Sequence, residues 1–389
     1  MNILDEIEKI IPVSPAGCLD WKALEALPVG RFFPDMKSTP QNPEFHGEGD
    51  VYTHTKMVCE ELVKNPAFYD CSTRIQTELL LAAVLHDIGK IRTTRLEDGK
   101  WVSPHHSSTG SFMAREFLWK ECGLSGTPDR QQLRETVCML IRCHMLPVHM
   151  LDDANADLRI RETASVGELS PDFSWKQLCI LAESDMRGRI APDIEESLEK
   201  IDLCRAMAEE AECLDGPYPF QDAYTKRAYL SGRNVAPNQS LYNDTWGEII
   251  LLSGLPGTGK DTWIHTHASY LPVISLDELR KELHIKPTEP QGAVIQEAQK
   301  RAKEYLRKHQ PFVWNATNIA RDMRQKQVSL FERYNASVRI IYLETEWETQ
   351  LERNEGRKAE VPRAAIERML SKTVPPLPQE AQFIEWNCV

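Results

Sequence analysis

Two sets of residues suited to phosphate chemistry lie in opposite halves of this chain. Residues 86–90 read His-Asp-Ile-Gly-Lys, and imidazole and carboxylate groups in such a segment can bind a divalent cation. Residues 254–260 read Gly-Leu-Pro-Gly-Thr-Gly-Lys, and such a loop can surround a phosphate with backbone N–H groups. The first set suits removal of phosphate, and the second suits its transfer. The pairing favours an enzyme that works on two ends of one substrate.

The first set is accompanied by further metal-binding residue types. His54 precedes the pair His86 and Asp87, and Asp185 follows it far along the chain. Seven of the 11 histidines fall within the first 150 residues, so this half is enriched in ligands. Ligands from separate helices can converge on one cation, which acidifies a bound water and polarises a phosphoryl oxygen. We expect a metal-dependent phosphohydrolase, and His and Asp ligands suit Mn, Fe, Co, Ni, Cu or Zn almost equally.

The second set has the context of a phosphate-binding loop, because a short apolar run precedes it and a helical stretch follows. Lys260 and the helix N-terminus supply positive charge for ATP or another NTP bound with Mg²⁺. The Ser or Thr that usually follows the lysine and holds Mg²⁺ is replaced by Asp261, whose carboxylate could bind the metal directly or through water. The expected nucleotide-binding residues are Gly254, Gly257, Thr258, Gly259, Lys260, Asp261 and Thr262.

Residues after the next two apolar runs indicate a kinase rather than a simple nucleotide-binding domain. Asp277 follows the second run and can orient an attacking hydroxyl group, while Arg280 can bind an acceptor phosphate. Thr317 and Asn318 follow the third run, where phosphotransfer sites often place polar groups. Binding an NTP alone requires no such carboxylate on the acceptor side.

A basic segment further along is expected to form a mobile lid. Arg353 and Arg357 can reach the transferring phosphoryl group from such a lid. The alternative for both arginines is a solvated helix face.

The elements that position these residues differ between the two halves. Apolar residues recur at helical spacing within 53–150 and 175–213, without a strand pattern, which predicts an all-α first domain. In the second half, short apolar runs alternate with helical stretches, which predicts an α/β domain with a parallel sheet covered on both faces. The predicted strands lie at 248–253, 273–275, 312–314 and 338–343.

These patterns predict a multidomain chain. A polar segment punctuated by Pro and Gly is the expected linker. The predicted parts are an N-terminal extension packed on the helical domain (1–39), the helical domain (40–214), the linker (215–244) and the α/β domain (245–389).

Composition limits the partners and the compartment. The net charge is −12, and residues 1–244 carry 26 Lys and Arg against 39 Asp and Glu, whereas residues 245–389 carry 20 against 19. Such an acidic surface disfavours non-specific duplex binding but allows a pocket for one strand end. No apolar run spans a bilayer, the N-terminus does not resemble a signal peptide, and ten scattered cysteines suit reduced thiols. We expect a cytoplasmic protein without a membrane partner.

Segments 45–55, 86–90, 105–106 and 183–189 resemble the HD-domain superfamily, and they are most similar to the HD domain attached to bacterial CCA-adding tRNA nucleotidyltransferases. The resemblance covers about residues 40–215. It implies four primary metal ligands, which are His54, His86, Asp87 and Asp185. His106 and His144 match positions that hold a second metal in some members. Lys90, with Arg187 or Arg189, would contact the phosphate.

Residues 245–375 resemble the P-loop polynucleotide kinase family through the loop at 254–260 and the segments 275–280, 315–318 and 353–362. The family implies Asp277 as general base toward a 5′-hydroxyl and Arg280 as a ligand of the acceptor phosphate. Related P-loop kinases that act on metabolites, or on sugars in toxin systems, share much of this pattern.

The order of the two domains resembles the bacterial HD-Pnk end-healing enzymes. That resemblance implies RNA repair, in which the HD domain removes a 2′,3′-cyclic phosphate or 2′-phosphate and the kinase phosphorylates a 5′-hydroxyl from an NTP. The implied partners are RNA or DNA strand ends, and an RNA ligase would act afterwards.

Two other interpretations remain open from the sequence. In one, the HD half hydrolyses a mononucleotide and the kinase half phosphorylates a small metabolite, which the acidic first half favours. In the other, the P-loop is a nucleotide sensor that gates the HD half, and the acceptor-side Asp277 and Arg280 argue against it.

Overall fold

The computed structural model describes residues 3–356 and 360–389, which form two compact units. The first unit comprises Met1–Leu124 and Asp129–Tyr218, and the second comprises Ser125–Pro128 and Pro219–Val389. Each unit contains one of the two sets of phosphate-handling residues.

The first unit is built from helices. They are α1 (Ile3–Ile10), α2 (Trp21–Ala26), α3 (Phe33–Lys37), α4 (Val51–Lys64), α5 (Pro66–Tyr69), α6 (Thr73–Leu85), α7 (Lys90–Thr93), α8 (His106–Lys120), α9 (Pro128–Cys143), α10 (Leu146–His149), α11 (Ala156–Ala164), α12 (Trp175–Arg187) and α13 (Ile194–Glu210). Short 3-10 turns lie at Pro28–Phe32, Met150–Asp152 and Ser165–Glu168.

Helix α6 is the centre of this unit. The Ser72 side chain accepts a hydrogen bond from the Ile75 N–H and caps its start, and every residue from 77 to 85 is buried. A helix buried on all faces must be surrounded by other helices, and α1, α4 and α12 pack against it. The residues that follow α6, His86 and Asp87, therefore emerge inside the core rather than at the surface.

One short hairpin departs from the helical pattern expected for this domain. Strands β1 (Arg95–Glu97) and β2 (Lys100–Val102) pair antiparallel. The turn between them is Asp98-Gly99, and an Asp-Gly pair is a strong hairpin signal. The expectation that this half contains no strand of any length was therefore wrong at this point, although the helical class of the domain is confirmed.

The second unit contains a five-stranded sheet with every strand pair parallel. The strands are β3 (Glu248–Ser253), β4 (Val273–Ser275), β5 (Val313–Asn315), β6 (Ser337–Glu344) and β7 (Phe383–Cys388), in the order β4-β5-β3-β6-β7. The helices are α14 (Ala223–Leu230), α15 (Lys260–His267), α16 (Leu276–Glu282), α17 (Gly292–Arg307), α18 (Arg321–Glu332), α19 (Trp347–Glu355) and α20 (Arg363–Leu370). A 3-10 turn lies at Pro378–Glu380. The predicted α/β class is confirmed.

The parallel sheet brings its carboxyl ends together at one edge. The phosphate-binding loop follows β3, Asp277 follows β4, and Thr317 follows β5. Ligands of open α/β sheets bind at this edge, so the fold itself assembles the predicted kinase residues.

Two features near the ends of this unit differ from the sequence pattern. Strand β7 was not predicted, and all six of its residues are half-buried, as expected for an edge strand that lacks apolar alternation. Helix α14 lies within the segment 215–244 that was predicted as a linker. The predicted domain boundaries remain predictions.

Helix α1 lies in the N-terminal segment that was expected to pack on the helical domain. It buries Ile3, Ile7 and Ile10 and packs against α6. Within the described residues, no helix combines the length and apolar character needed to cross a bilayer.

Candidate functional site

Imidazole and carboxylate groups from separate helices converge in the core of the first unit. The His54 Nε2 lies 3.0 Å from an Asp185 carboxylate oxygen, 3.6 Å from Asp87 and 3.3 Å from the His86 Nε2. The His86 Nε2 lies 3.3 Å from Asp87 and 3.9 Å from Asp185. The structure thus brings together the four residues that the HD resemblance implied as primary ligands.

Each histidine of this cluster is oriented by a backbone carbonyl. The Nδ1 of His86 donates to the Ala83 carbonyl at 2.8 Å, that of His144 to Ile141 at 2.7 Å, and that of His106 to Ser103 at 2.9 Å. In all three cases the acceptor lies three residues earlier in the chain. The Nδ1 of His54 lies 3.1 Å from the Gly188 carbonyl. Because a carbonyl can only accept, Nδ1 carries a proton in each ring, and Nε2 is the ring atom that faces the cluster.

The cluster fits a divalent cation on three observations. Two ligands that each bind one ion at about 2.1 Å can be no more than about 4.2 Å apart, and the five separations above, 3.0 to 3.9 Å, meet that limit. The Nε2 atoms of His54 and His86 face each other at 3.3 Å, so either a proton or a metal ion must lie between them. Asp87 Oδ1 is buried and has no hydrogen-bond partner among the described residues, so it can ligate a metal without losing another bond.

A second group of donors shares the Asp87 carboxylate. Asp87, His106 and His144 offer ligand atoms within 4.8 Å of one another, and Asp87 Oδ1 lies 3.5 Å from the His106 Nε2. Burial lowers the pKa of His106, and it lowers the pKa of His144 to about 3. Both rings therefore stay neutral, as metal ligands must. Asp87 is therefore common to both groups of possible ligands.

Two positively charged side chains, Lys90 and Arg189, balance the carboxylates of the cluster. The Lys90 Nζ lies 2.7 Å from Asp87 and donates to Gln41 at 2.6 Å, and Arg189 pairs with Asp185 at 2.8 Å. Burial would raise the pKa of Asp87, but the Lys90 ammonium together with the imidazoles of His86 and His106 outweighs it and holds that pKa well below its usual range. Burial would likewise raise the pKa of Asp185, but Arg189 and the imidazoles of His54 and His86 together outweigh it and keep this carboxylate ionised.

Arg187 and Arg189, the two predicted phosphate ligands near Asp185, occupy different environments. Arg189 is largely buried beside Asp185, whereas Arg187 is half exposed and pairs with Glu183 along the helix at 3.1 Å. Of the two, only Arg189 faces the cluster.

Sequence reasoning missed Glu48. Its carboxylate lies 2.8 Å from the His46 Nδ1 and 3.1 Å from the His54 Nδ1, and it accepts from the Ile190 N–H at 3.0 Å. Burial would raise the pKa of Glu48, but the hydrogen bonds from the two histidines outweigh it and lower that pKa. Glu48 therefore helps to hold His54 in place. The signal was present in the segment 45–55, which contains Glu48 and is one of the segments that carry the HD resemblance.

Gly89 sets the spacing of two helices at the cluster. A Cβ atom at this position would lie 2.0 Å from the His106 carbonyl oxygen, which is far inside contact distance. Only glycine therefore allows α8, which starts at His106, to approach the segment that carries Asp87. His105 precedes α8 with a left-handed φ of 57°, and it is exposed, as is His149.

The phosphate-binding loop of the second unit connects β3 to α15. Gly254 has a φ of 148°, and a Cβ there would lie 2.4 Å from the Leu343 carbonyl oxygen, so no other residue fits. The Lys260 Nζ lies 2.9 and 2.7 Å from the Gly254 and Leu255 carbonyls, at the centre of the loop. The buried Thr258 hydroxyl donates to the Leu255 carbonyl and stabilises the loop rather than facing the cleft.

Asp261 is held by a residue from a neighbouring strand. The Asn315 Nδ2, at the end of β5, donates to Asp261 Oδ1 at 2.7 Å. Asp261 and Thr262 are exposed in the cleft, and Gly257 and Gly259 also line it. Carboxylate and amide oxygens are ligands that Mg²⁺ accepts, so this pair fits a magnesium ion beside an NTP.

The acceptor side faces the same cleft. The Ser275 side chain accepts from the Glu278 N–H and caps α16, which presents Asp277 and Arg280 on its first turns. The Arg280 guanidinium lies 2.5 Å from the Asp277 carboxylate and donates to Gln291 at 2.6 Å. These residues, the phosphate-binding loop, Thr317 and Arg353 line a cleft of about 2290 Å³.

The remaining predicted kinase residues differ in whether their side chains reach the cleft. The Thr317 carbonyl accepts from the Gly254 N–H at 2.8 Å, which joins the two loops. Asn318 is buried and its amide donates to the Leu252 carbonyl at 2.7 Å, so its side chain supports the sheet edge. Arg353 donates to the Val389 carbonyl at 3.3 Å. Arg357 lies outside the described residues.

Two family models match the chain in the order of the two units. The model described as HD domain matches residues 51–166, a range that includes His54, His86 and Asp87 and ends before Asp185. The model described as AAA domain matches residues 249–376, a range that includes the phosphate-binding loop and Asp277. The chain therefore contains an HD domain followed by a P-loop kinase-like domain.

Proposed function

We propose that this chain, with its HD domain and its P-loop kinase-like domain, is a bifunctional RNA end-healing enzyme. The HD domain hydrolyses a 2′,3′-cyclic phosphate or a 2′-phosphate, and the kinase domain transfers the γ-phosphate of an NTP to a 5′-hydroxyl. Both domains then act on the two ends of one break. A ligase would join the healed ends.

In the HD domain, the ligand residues prepare a site for divalent cations. His54, His86, Asp87 and Asp185 would hold one cation, and Asp87, His106 and His144 a second. Bound metal supplies a water of lowered pKa and polarises a phosphoryl oxygen. Lys90 and Arg189 add positive charge beside the carboxylates, and they suit contact with the negatively charged phosphate.

In the kinase domain, the residues bind the NTP, orient the acceptor strand and accept the proton of its 5′-hydroxyl. Lys260 and the backbone of the loop bind the NTP phosphates, and Asp261 with Asn315 suits the accompanying Mg²⁺. Asp277 accepts the proton of the 5′-hydroxyl as that oxygen bonds to the γ-phosphorus and the bond to the β–γ bridging oxygen breaks. Arg280 binds the first phosphate of the acceptor strand. Arg353 lies at the edge of the cleft, where its charge can stabilise the transferring phosphoryl group.

The observation that carries the kinase assignment is the pairing of Asp277 with Arg280 inside the cleft of the phosphate-binding loop. A sensor that binds an NTP needs neither group. The cleft, at about 2290 Å³, has room for an acceptor beside the NTP.

The second candidate keeps both activities but gives them small substrates. In it, the HD domain is a nucleotidase and the kinase domain phosphorylates a metabolite. The excess of carboxylates in residues 1–244, 39 against 26 basic residues, favours it because that surface repels a nucleic-acid backbone.

The deciding experiment uses one short RNA that bears a 5′-hydroxyl and a 2′,3′-cyclic phosphate. We would incubate it with the protein, ATP, Mg²⁺ and Mn²⁺ or Ni²⁺, and determine product masses. Gain of a 5′-phosphate together with conversion of the 3′ end is the expected result. An RNA left unchanged by protein that binds ATP and metal would favour the small-substrate candidate.

A mixing experiment tests whether the two sites work independently. Asp277→Asn and His86→Ala proteins, each inactive in one step, should together restore both end modifications. Failure of the mixture would indicate one composite site instead of two.

A further inference from the structure

Helix α18 presents one polar face beside the kinase cleft. Asp322, Lys326, Ser329 and Arg333 are exposed and recur at positions i, i+4, i+7 and i+11, so they share one side of the helix. Over these residues the helix rises about 16 Å. The face therefore forms a strip that leads away from the cleft.

This strip is the floor of a second concavity that is continuous with the cleft. A groove of about 880 Å³ runs between α18 and α14. Gln299, Asp322 and Lys326 line both this groove and the kinase cleft. A chain that leaves the cleft past Lys326 therefore enters the groove directly.

The groove carries positive charge that carboxylates do not balance. Lys326, Arg333 and Arg233 are exposed in it, and within residues 3–356 and 360–389 none has a carboxylate partner. By contrast, exposed lysines such as Lys9 and Lys64 pair with a glutamate one helical turn away.

Two carboxylates also line the groove. Glu332 is occupied by Arg227, which holds it through two hydrogen bonds at 2.6 and 2.9 Å. Asp322 is the other, and it lies at the cleft end of the strip. Free positive charge therefore increases along the groove away from the cleft, in a chain whose net charge is −12.

We propose that the α18 groove, lined by Lys326, Ser329, Arg333 and Arg233, binds the single-stranded RNA that follows the 5′-terminal nucleotide. This proposal rests on the proposed kinase function, because the groove extends the acceptor site at Asp277. At the roughly 3.4 Å spacing of stacked nucleotides, a strip of about 16 Å accommodates about five nucleotides. The basic residues contact phosphates, so the groove adds affinity without sequence preference.

The test compares a dinucleotide with a 12-nucleotide RNA, both bearing a 5′-hydroxyl. The dinucleotide has a single internucleotide phosphate, which Arg280 binds. The dinucleotide therefore does not reach the groove. The variant is Arg233→Glu with Arg333→Glu, two residues that line the groove and not the kinase cleft, and the control is Arg307→Glu with Lys308→Glu. The control residues are exposed, lie outside both concavities and change the net charge by the same amount. The measurements are KM for each acceptor and the dissociation constant of the 12-mer against salt, with thermal unfolding to verify folding.

We expect the groove variant to raise KM for the 12-mer by about 10-fold or more and to change KM for the dinucleotide less than about 2-fold. Loss of two phosphate contacts should also lower the slope of log K against log salt by about 1.4. The control variant should leave the ratio of the two KM values near the wild-type ratio.

The outcomes separate this proposal from the one on which it rests. Equal KM changes for both RNAs, or no change for either, overturn the groove while leaving the kinase in place. A wild-type protein that phosphorylates neither RNA overturns the kinase assignment itself. In that case binding of the 12-mer, measured without NTP, still reports whether the groove holds RNA.

Discussion

The two sites are built on opposite plans. In the HD domain, the side chains of His54, His86, Asp87 and Asp185 are at most 2% exposed, although the first and last lie more than 100 residues apart in the chain. In the kinase domain, the phosphate-binding loop is one continuous segment, but the Asp277 side chain is 65% exposed. One site is closed and assembled by the core, and the other is open at a sheet edge.

This difference has a physical consequence for each reaction. Ligands of the HD site are fixed by buried helices, backbone carbonyls and ion pairs, so folding itself sets their geometry. The kinase residues stand on the surface of a wide cleft, where substrates must exclude water and complete the site. Changes at the first site should alter folding and metal content, whereas changes at the second should alter substrate binding and turnover without unfolding the domain.

The largest expected effect is at the closed site. His86→Ala should remove one lone pair from the ligand set, lower bound transition metal and reduce hydrolysis of the 2′,3′-cyclic end by at least about 1000-fold. Elemental analysis and a phosphoesterase assay provide the measurement, and kinase activity of the same preparation is the control. Unchanged metal content would contradict the ligand assignment.

The next effect tests the open site. Asp277→Asn keeps the size of the side chain but removes the base, so 5′-phosphorylation should fall by about 100- to 1000-fold. Because Asp277 is exposed, thermal unfolding and HD hydrolysis should stay at wild-type values. Kinase activity retained by this variant would refute the role of Asp277.

A smaller effect concerns the residue that replaces the usual P-loop Ser or Thr. Asp261→Asn should weaken ATP binding about 10-fold when Mg²⁺ is present, because a charged metal ligand is lost. With EDTA the same variant should bind ATP at least as tightly as wild type, because a negative charge near the phosphates is gone. Titration calorimetry under both conditions separates the two effects, and equal weakening in both would show that Asp261 acts only through the structure of the loop.

The smallest effect tests how strongly burial in the core of the first unit disfavours an ionised carboxylate. Burial, reinforced by the negative charge of Asp172, raises the pKa of Glu78 to about 9 despite Arg74 at 3.4 Å. Between the model-peptide value of 4.5 and about 9, the folded state keeps a proton that the unfolded state releases, so stability should fall as pH rises through this window. Glu78→Gln stays neutral and should raise the unfolding temperature by about 2–4 °C at pH 8 and by less at pH 5.

Calorimetry at the two pH values gives the measurement for Glu78. A variant less stable than wild type at pH 8 would mean that Glu78 is ionised and paired with Arg74 in the folded protein.

The sequence predicted the elements whose signal is local. Apolar runs predicted four of the five strands, and the glycine-rich loop lies between a strand and a helix as expected. The residues proposed as HD ligands were expected from motifs spread over the chain, and the structure brings their side chains together. Positions in the glycine-rich loop and in the HD motifs each require a particular residue type, and each lies at a fixed distance from the end of a helix or strand.

What the sequence did not show depends on partners distant in the chain. Strand β7 is an edge strand without alternation, so only its pairing with β6 identifies it. Glu48 gains its role through contacts with His46, His54 and the Ile190 N–H, and the last lies 142 residues away. Asn315 could not be assigned to Asp261 before β5 was placed beside β3.

The carbonyl that orients each ring also makes the HD site sensitive to insertions. His86 and His144 each follow directly after a helix and bind the carbonyl three residues back, so each ring points where the last turn of α6 or α9 directs it. One residue inserted into α6 rotates everything after it by about 100° around the helix axis, which would turn His86 and Asp87 away from the cluster. Lineages that carry this domain should therefore vary α6 by substitution and place length changes in loops, and the hairpin turn at Asp98-Gly99 is one position where an insertion costs little.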